Sequence, residues 1–206
     1  MSYTIFLDIK VFVHLRQHHP RHSTPQDTME VFSTASPPPG ATDGQHNRHL
    51  ADVVYNNLAN QQDWTQMRIH GDGHKESEKG HPRILLSGLP PRRLYIHPDE
   101  QIEVLRAEKA LGNGTRIPQP PELEWVLPVH LVETPTVSQL AAVFDSITAV
   151  PPGEGGDNEA EAVGDEQWRA WRGARRGKRL VLAVVQDDSS VSYYLMHDGI
   201  VKPRQN

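Results

Sequence analysis

The chain has 206 residues and a formal charge of −5, from 21 Lys and Arg against 26 Asp and Glu. That length suits one domain plus extensions, and that charge argues against a chain gripping nucleic acid over its whole surface. The absence of cysteine excludes disulfides, zinc ribbons, iron–sulfur clusters and thiol catalysis, and no apolar run approaches the ~18 residues of a membrane helix.

Tyr3 to Leu15 (YTIFLDIKVFVHL) is rich in β-branched and aromatic residues and reads as a strand. It lacks the long apolar core and small-residue cleavage site of a secretory signal, and Arg16 and Arg21 alone do not make a presequence. From Pro20 to Asn47 the chain is mostly Ser, Thr, Pro, Gly and His with few large apolar residues, including Pro37-Pro38-Pro39-Gly40. Residues 1–45 therefore read as a disordered extension.

Leu50, Val53, Val54 and Leu58 form the stripe of an amphipathic helix, with Asn47 as its expected N-cap. Trp64, Met67 and Ile69 suggest a strand, followed by a polar turn from Gly71 to Gly80. Arg83 to Leu89 and Arg93 to His97 read as a hairpin around Pro90-Pro91. Pro98, Asp99 and Glu100 open a short helix carrying Ile102 and Leu105.

Gly112 to Pro121 reads as a loop and Trp125 to Leu131 as a strand, edge or bulged because of Pro128. Thr134-Pro135 starts a helix bearing Val137, Leu140, Ala141, Phe144 and Ile147. Residues 150–166 form an acidic loop: positions 153–166 hold six acids and no bases, and 169–179 then hold six bases and no acids. Leu180 to Val185 (LVLAVV) is apolar on both faces, hence a central strand. Gln186 to Ser190 is a tight turn and Val191 to Met196 the return strand. The expected order is α-β-β-β-(α)-β-α-β-β, a small α/β domain over residues 46–206.

Few residues invite chemistry. His14, His18, His19 and His22 could chelate metal in vitro, but as a polar tail run without a carboxylate partner they read as composition. Tyr95 and His97 share a predicted strand face, and nothing nearby completes an acid–base constellation. Tyr193, His197 and Lys202 are the side-chain types of a metal-free ribonuclease. On one strand, however, i and i+4 lie ~13 Å apart and cannot converge on one phosphate. No catalytic, cofactor or metal-binding motif occurs, so no cofactor is expected. The basic cluster Arg172, Arg175, Arg176, Lys178 and Arg179, beside Trp168 and Trp171, is the one patch with an RNA-binding composition. Its simpler reading is a solvated linker balancing the acids before it.

Four strings occur in order: RLYIHPDEQIE (Arg93 to Glu103), EWVLPVHL (Glu124 to Leu131), LAAVFDSI (Leu140 to Ile147) and KRLVLAVVQDDSSVSYYLMHDGIVKPRQN (Lys178 to Asn206). Together they resemble the Sen-fifteen family, the smallest, non-catalytic subunits of the eukaryotic tRNA-splicing endonuclease, in its fungal form. The resemblance covers about residues 46–206. It implies a tRNA-intron-endonuclease-like domain, a mixed sheet flanked by helices, in a heterotetramer where two of four subunits cut. In the cutting subunits a Tyr precedes a His, and a Lys comes just before the strand equivalent to Leu180–Val185. Lys178 sits at or next to that Lys position, but Val150 to Arg176 contains neither Tyr nor His. The resemblance also implies that the last strand pairs with a neighbouring subunit, the catalytic Sen-thirty-four, through Val191, Tyr193, Tyr194, Leu195 and Met196. It implies that the Asp187-Asp188 turn docks into a groove of the opposite pair.

The leading expectation is thus a structural subunit supporting pre-tRNA cleavage at intron splice sites, in the nucleus or, alternatively, on the mitochondrial outer surface. A homodimer is expected when the chain is isolated. The alternatives are an autonomous metal-free ribonuclease and a stand-alone RNA-binding module using residues 168–179.

Overall fold

The computed structural model describes residues 7–8, 43–71, 81–153 and 167–199. The tail histidines, the residues from Pro20 to Thr42, the turn after Gly71, most of the acidic loop and Lys202 lie outside these residues. In chain order the elements are β1 (Leu7–Asp8), α1 (Asp43–Gln61), β2 (Thr65–His70), β3 (Leu85–Leu89), α2 (Pro98–Leu111), β4 (Glu124–His130), α3 (Val137–Ser146), β5 (Arg179–Val185) and β6 (Val191–His197). Two 3-10 turns, Gln167–Trp171 and Gly173–Arg175, precede β5. The strands form one mixed sheet in the order β1-β6-β5-β4-β3-β2, in which only β4 and β5 run parallel.

Alternation along the strands builds two cores, because successive side chains point to opposite faces. On one face Leu86, Val126, Val181, Ala183 and Val185 pack against Leu50, Ala51, Val54 and Leu58 of α1. On the other, Leu85, Trp125, Leu127, Val129, Leu180 and Met196 pack against Val143, Phe144 and Ile147 of and after α3. The chain is a sheet between two helices, as the α/β reading expects. β5 feeds both cores, which is why it is apolar from Leu180 to Val185.

The structure corrects the sequence reading at three places. Helix α1 begins at Asp43, so Asn47 lies inside it, and its Oδ1 accepts a hydrogen bond from Arg83 Nη2 at 2.9 Å instead of capping. Residues 93–97 form no strand: β3 pairs with β2 and β4, and His97 caps α2, its Nδ1 accepting from the Asp99 N–H at 3.2 Å. Both sides of β3 are already taken by β2 and β4, so this segment finds no free strand to pair with. In α2 the apolar residues Ile102 and Leu105 are exposed, while Glu100 and Val104 are buried. Finally, β4 is an interior strand despite Pro128. Its ladder with β3 spans only Glu124 to Val126, so Pro128 lies past the end of that pairing and needs no donor there. For α3, the start expected near Thr134-Pro135 is close to the structure: Thr136 caps it in a reciprocal capping box with Gln139.

Candidate partner interface

β6 runs along β5 from Val191↔Val185 to His197↔Arg179. Its other side is paired only at Leu195 and Met196, by Asp8 and Leu7 of β1. From Val191 to Tyr194 that outer edge carries no strand partner among the described residues. Open strand edges invite pairing with another chain.

The side chains of β6 divide as its alternation requires. Val191, Tyr193 and Leu195 pack against the α1 core. The Tyr193 hydroxyl donates to Asn57 Oδ1 at 2.5 Å, and burial pushes the phenol well above its ordinary pKa. Met196 is fully enclosed in the α3 core. It is therefore a core residue of this chain, and its side chain is not available to a partner. On the α3 side, Leu182 and Val184 of β5 and their neighbours Tyr194 and Ser192 on β6 are half-buried. This forms an apolar strip that the chain itself leaves partly open. On the α1 side a cleft of about 330 Å³ lies beside the strand, lined by Leu58, Trp64, Leu94, Val181, Tyr193 and Leu195 among others.

The β5–β6 turn is tight. Gln186 N–H donates to the Ser190 carbonyl and Ser189 N–H to the Gln186 carbonyl, both at 2.9 Å, with Ser189 in the left-handed region at φ 63°. This resembles a type I turn followed by a left-handed residue, a common three-residue hairpin loop. Asp188 Oδ1 accepts from the Ser190 N–H at 2.9 Å, and hydrogen bonds from Ser190 lower the Asp188 pKa. Asp187 stays largely exposed, with Oδ1 3.1 Å from His130 Nε2 at the end of β4. Both acids therefore stand on a compact, internally braced projection.

The basic run does not form an exposed cationic patch. Arg176 and Arg179 are only 5% and 3% exposed. Arg176 donates to Glu122 Oε2 at 2.8 Å, Glu124 Oε2 at 3.0 Å and the Leu123 carbonyl at 2.8 Å. Arg179 donates to Glu124 Oε1 at 2.5 Å and Glu122 Oε2 at 2.8 Å. Arg172 donates to Glu100 Oε1 at 2.7 Å and lies over the Trp168 ring, while Arg93 binds both oxygens of Glu100. Burial opposes ionisation of Glu122, but Arg176, Arg93, the Gly173 N–H and Arg179 together hold its pKa below the ordinary carboxylate range. For Arg179 burial again opposes the charge, and Glu124 and Glu122 outweigh it. Among the described residues the counter-charges of the basic run are Glu100, Glu122 and Glu124, and the acidic loop lies outside those residues. Of the five basic residues singled out, Arg175 alone is exposed.

Lys178 is also spent. Its Nζ donates to the Phe144 carbonyl at 2.8 Å, satisfying a backbone acceptor in the last turn of α3. Tyr95 and His197 do come together, with ring centroids 4.6 Å apart, and Tyr95 lies 6.5 Å from His97. All three rings are built into the packing around Arg179 and Trp171: Arg179 lies over Tyr95, and His97 stacks on Trp171. Tyr193 shares a sheet face with His197 but lies four residues back along β6, against α1, so the two do not converge. Among the described residues no His, Asp and Glu cluster has the form of a metal site, and no helix is long and apolar enough to cross a membrane.

Residues 53–206 match the Sen15 protein family. The chain is 58% identical over 162 residues to a probable tRNA-splicing endonuclease subunit tsp-1 of Neurospora crassa, covering 79% of this chain and 68% of that one. It is 34% identical over 85 residues to a probable tRNA-splicing endonuclease subunit sen15 of Schizosaccharomyces pombe, covering 41% and 51%. A tRNA-splicing endonuclease subunit SEN15 of Eremothecium gossypii is 24% identical over 157 residues, 76% of this chain and 91% of that one. The fold, the order of the four quoted strings and a family match over most of its length agree: the chain belongs to the Sen15 family.

Proposed function

We propose that this chain is a non-catalytic structural subunit of a tRNA-splicing endonuclease, pairing through the outer edge of β6 with a catalytic subunit. The names of its relatives supply the complex. The observation that carries the subunit's role is the position of β6. It is the last described strand, it is flanked on its outer side only by the two residues of β1, and from Val191 to Tyr194 that side has no pairing among the described residues. The half-buried strip of Leu182, Val184 and Tyr194 adds apolar area beside those backbone groups. Strand addition fits such an edge: main-chain hydrogen bonds supply affinity and the flanking side chains supply specificity.

The non-catalytic part rests on two observations. Val150 to Arg176 holds no Tyr or His, and the Lys178 amine is engaged in holding α3. That bond uses one of the three ammonium donors and turns the amine toward the end of α3. The Asp187-Asp188 projection suits an Arg- or Lys-lined groove on another subunit, where it would act chiefly on specificity and on-rate. Pre-tRNA contact then belongs to the assembly, in the nucleus or on the mitochondrial surface, with Arg175 the one exposed member of the basic run available to it.

The test is reconstitution with the other endonuclease subunits and single-turnover cleavage of an intron-containing pre-tRNA. Lys178→Ala should assemble and cut at nearly the wild-type rate. A loss of ~100-fold or more with assembly intact is the scale of a lost acid or base and would refute the non-catalytic reading.

A further inference from the structure

The edge assigned to a partner is already touched by the chain itself. β1 pairs antiparallel with β6, Leu7 opposite Met196 and Asp8 opposite Leu195. The contact is long in sequence, and it lies on the side of β6 away from β5. β6 has only two sides for hydrogen bonding, and β5 holds one along its whole length. A partner strand and β1 therefore compete for the same backbone groups at Leu195 and Met196. The sequence around β1 suits a strand, with Tyr3, Ile5, Phe6, Ile9, Val11, Phe12 and Val13 all β-favouring types.

We propose that β1 is a built-in edge guard: it covers the end of β6 in the free subunit and must leave before the partner strand pairs there. This rests on the reading of β6 as the partner edge. Physically, the free subunit needs such a guard, because an open edge beside half-buried apolar residues favours self-association. A two-residue pairing is weak enough to yield, since short edge pairings contribute little beyond their local hydrogen bonds. The consequence is a tax on partner binding. Apparent affinity falls by the fraction of molecules whose edge is open. It also reverses a simple expectation: the intact free chain is the less self-associating form, and loosening β1 promotes the homodimer.

The experiment uses the full chain carrying Leu7→Pro with Asp8→Pro, which removes whichever N–H of β1 faces β6. A second variant, Leu7→Val with Asp8→Thr, keeps both donors and favours a strand. Amide exchange at Leu195 and Met196, sedimentation of the free chain, and affinity for the purified catalytic subunit are measured together, with Tyr194→Ala alongside. The proline pair should speed exchange at the β6 amide that faces β1 by roughly tenfold or more. It should shift the free chain toward dimer and tighten partner binding several-fold, while the Val/Thr pair does the reverse or nothing. Unchanged exchange would show that β1 does not hold the edge, whatever the partner does. Faster exchange with unchanged or weaker partner binding would show that the edge is not contested. If Tyr194→Ala also leaves partner binding untouched, the interface reading itself fails and the guard loses its purpose with it.

Discussion

Glu124 is fully buried and receives hydrogen bonds from both Arg176 and Arg179. Removing one partner of a buried ion network leaves uncompensated charge, which costs ~3–5 kcal/mol. Glu124→Ala should therefore lower unfolding free energy by about that amount, read by urea denaturation; a loss under ~1 kcal/mol would mean the arginines find water or other acceptors. His70 gives a separate, pH-dependent signal. Its Nε2 lies 2.8 Å from Ser87 Oγ, beside His81 and against the Trp125 ring. Burial chiefly, then His81 and Arg68, pushes its pKa down from 6.5 to about 4, and burial lowers His81 as well. A folded-state pKa below the unfolded one means the unfolded chain binds more protons between those values. The stabilisation is complete above pH 6.5 and is lost as pH falls to about 4. The carboxylates Glu122 and Glu133, held below 4.5, lose theirs only at lower pH. Denaturation at pH 7 and pH 5 should show wild type losing stability and His70→Gln losing less. Equal losses in both would remove His70 from the account. At this scale the sequence misled most where partners are distant. Arg176 is 52 residues from Glu124, and the run of bases lies next to an acidic stretch that masks the true counter-charges. The available signal was a lone Glu opening an otherwise apolar strand.

Among the elements, those written in local periodicity were legible. α1, α3, β5 and β6 follow from stripes and alternation that one window contains. The failures share a cause, which is that pairing partners are not local. The segment 93–97 has strand-like residues but no free neighbour to pair with, because both sides of β3 are taken by β2 and β4. In α2 the apolar Ile102 and Leu105 are exposed, while Glu100 is buried where it meets Arg93 and Arg172. The β5–β6 turn was legible as a turn and as a charged projection, though not its internal bracing by the Ser189 and Ser190 hydrogen bonds or the approach of Asp187 to His130. Asp187→Lys with Asp188→Lys should leave the thermal midpoint nearly unchanged, because Asp187 is exposed and both acids lie outside the two cores. It should weaken tetramer assembly, more at low salt than at high, since exposed charges act within a Debye length of ~8–10 Å. Analytical ultracentrifugation at two ionic strengths reads this; assembly unchanged at low salt would count against the turn as a docking element.

Among the described residues the molecule is a sheet packed by a helix on each face, with most of the outer side of β6 unpaired. α1 and α3 cover the faces, and β2 ends the sheet on one side with a register shift between Thr65 and Arg68, with Gln66 at φ 53°. Such irregularity discourages further pairing at that side. β6 is regular along its full length, and that contrast directs association to it. The two-faced character of β6 was readable from its sequence, whereas its edge position and the contact with β1 depend on topology. The order β1-β6-β5-β4-β3-β2 cannot be read from element order alone. Side chains on the strand now separate by role. Tyr193 serves the fold through Asn57, and Met196 serves the core, so substitutions there would mix folding with binding. Tyr194, half-buried and opposite Leu182, is the side chain whose loss should report on association. The most direct measurement is the dissociation constant of the heterodimer with the catalytic subunit for wild type and Tyr194→Ala, with thermal midpoints of the free chains measured in parallel. The account predicts weakening of ~30-fold or more, the scale of an aromatic interface anchor, with closely similar midpoints. Equal affinity from an intact Tyr194→Ala chain would contradict it and move the interface off β6.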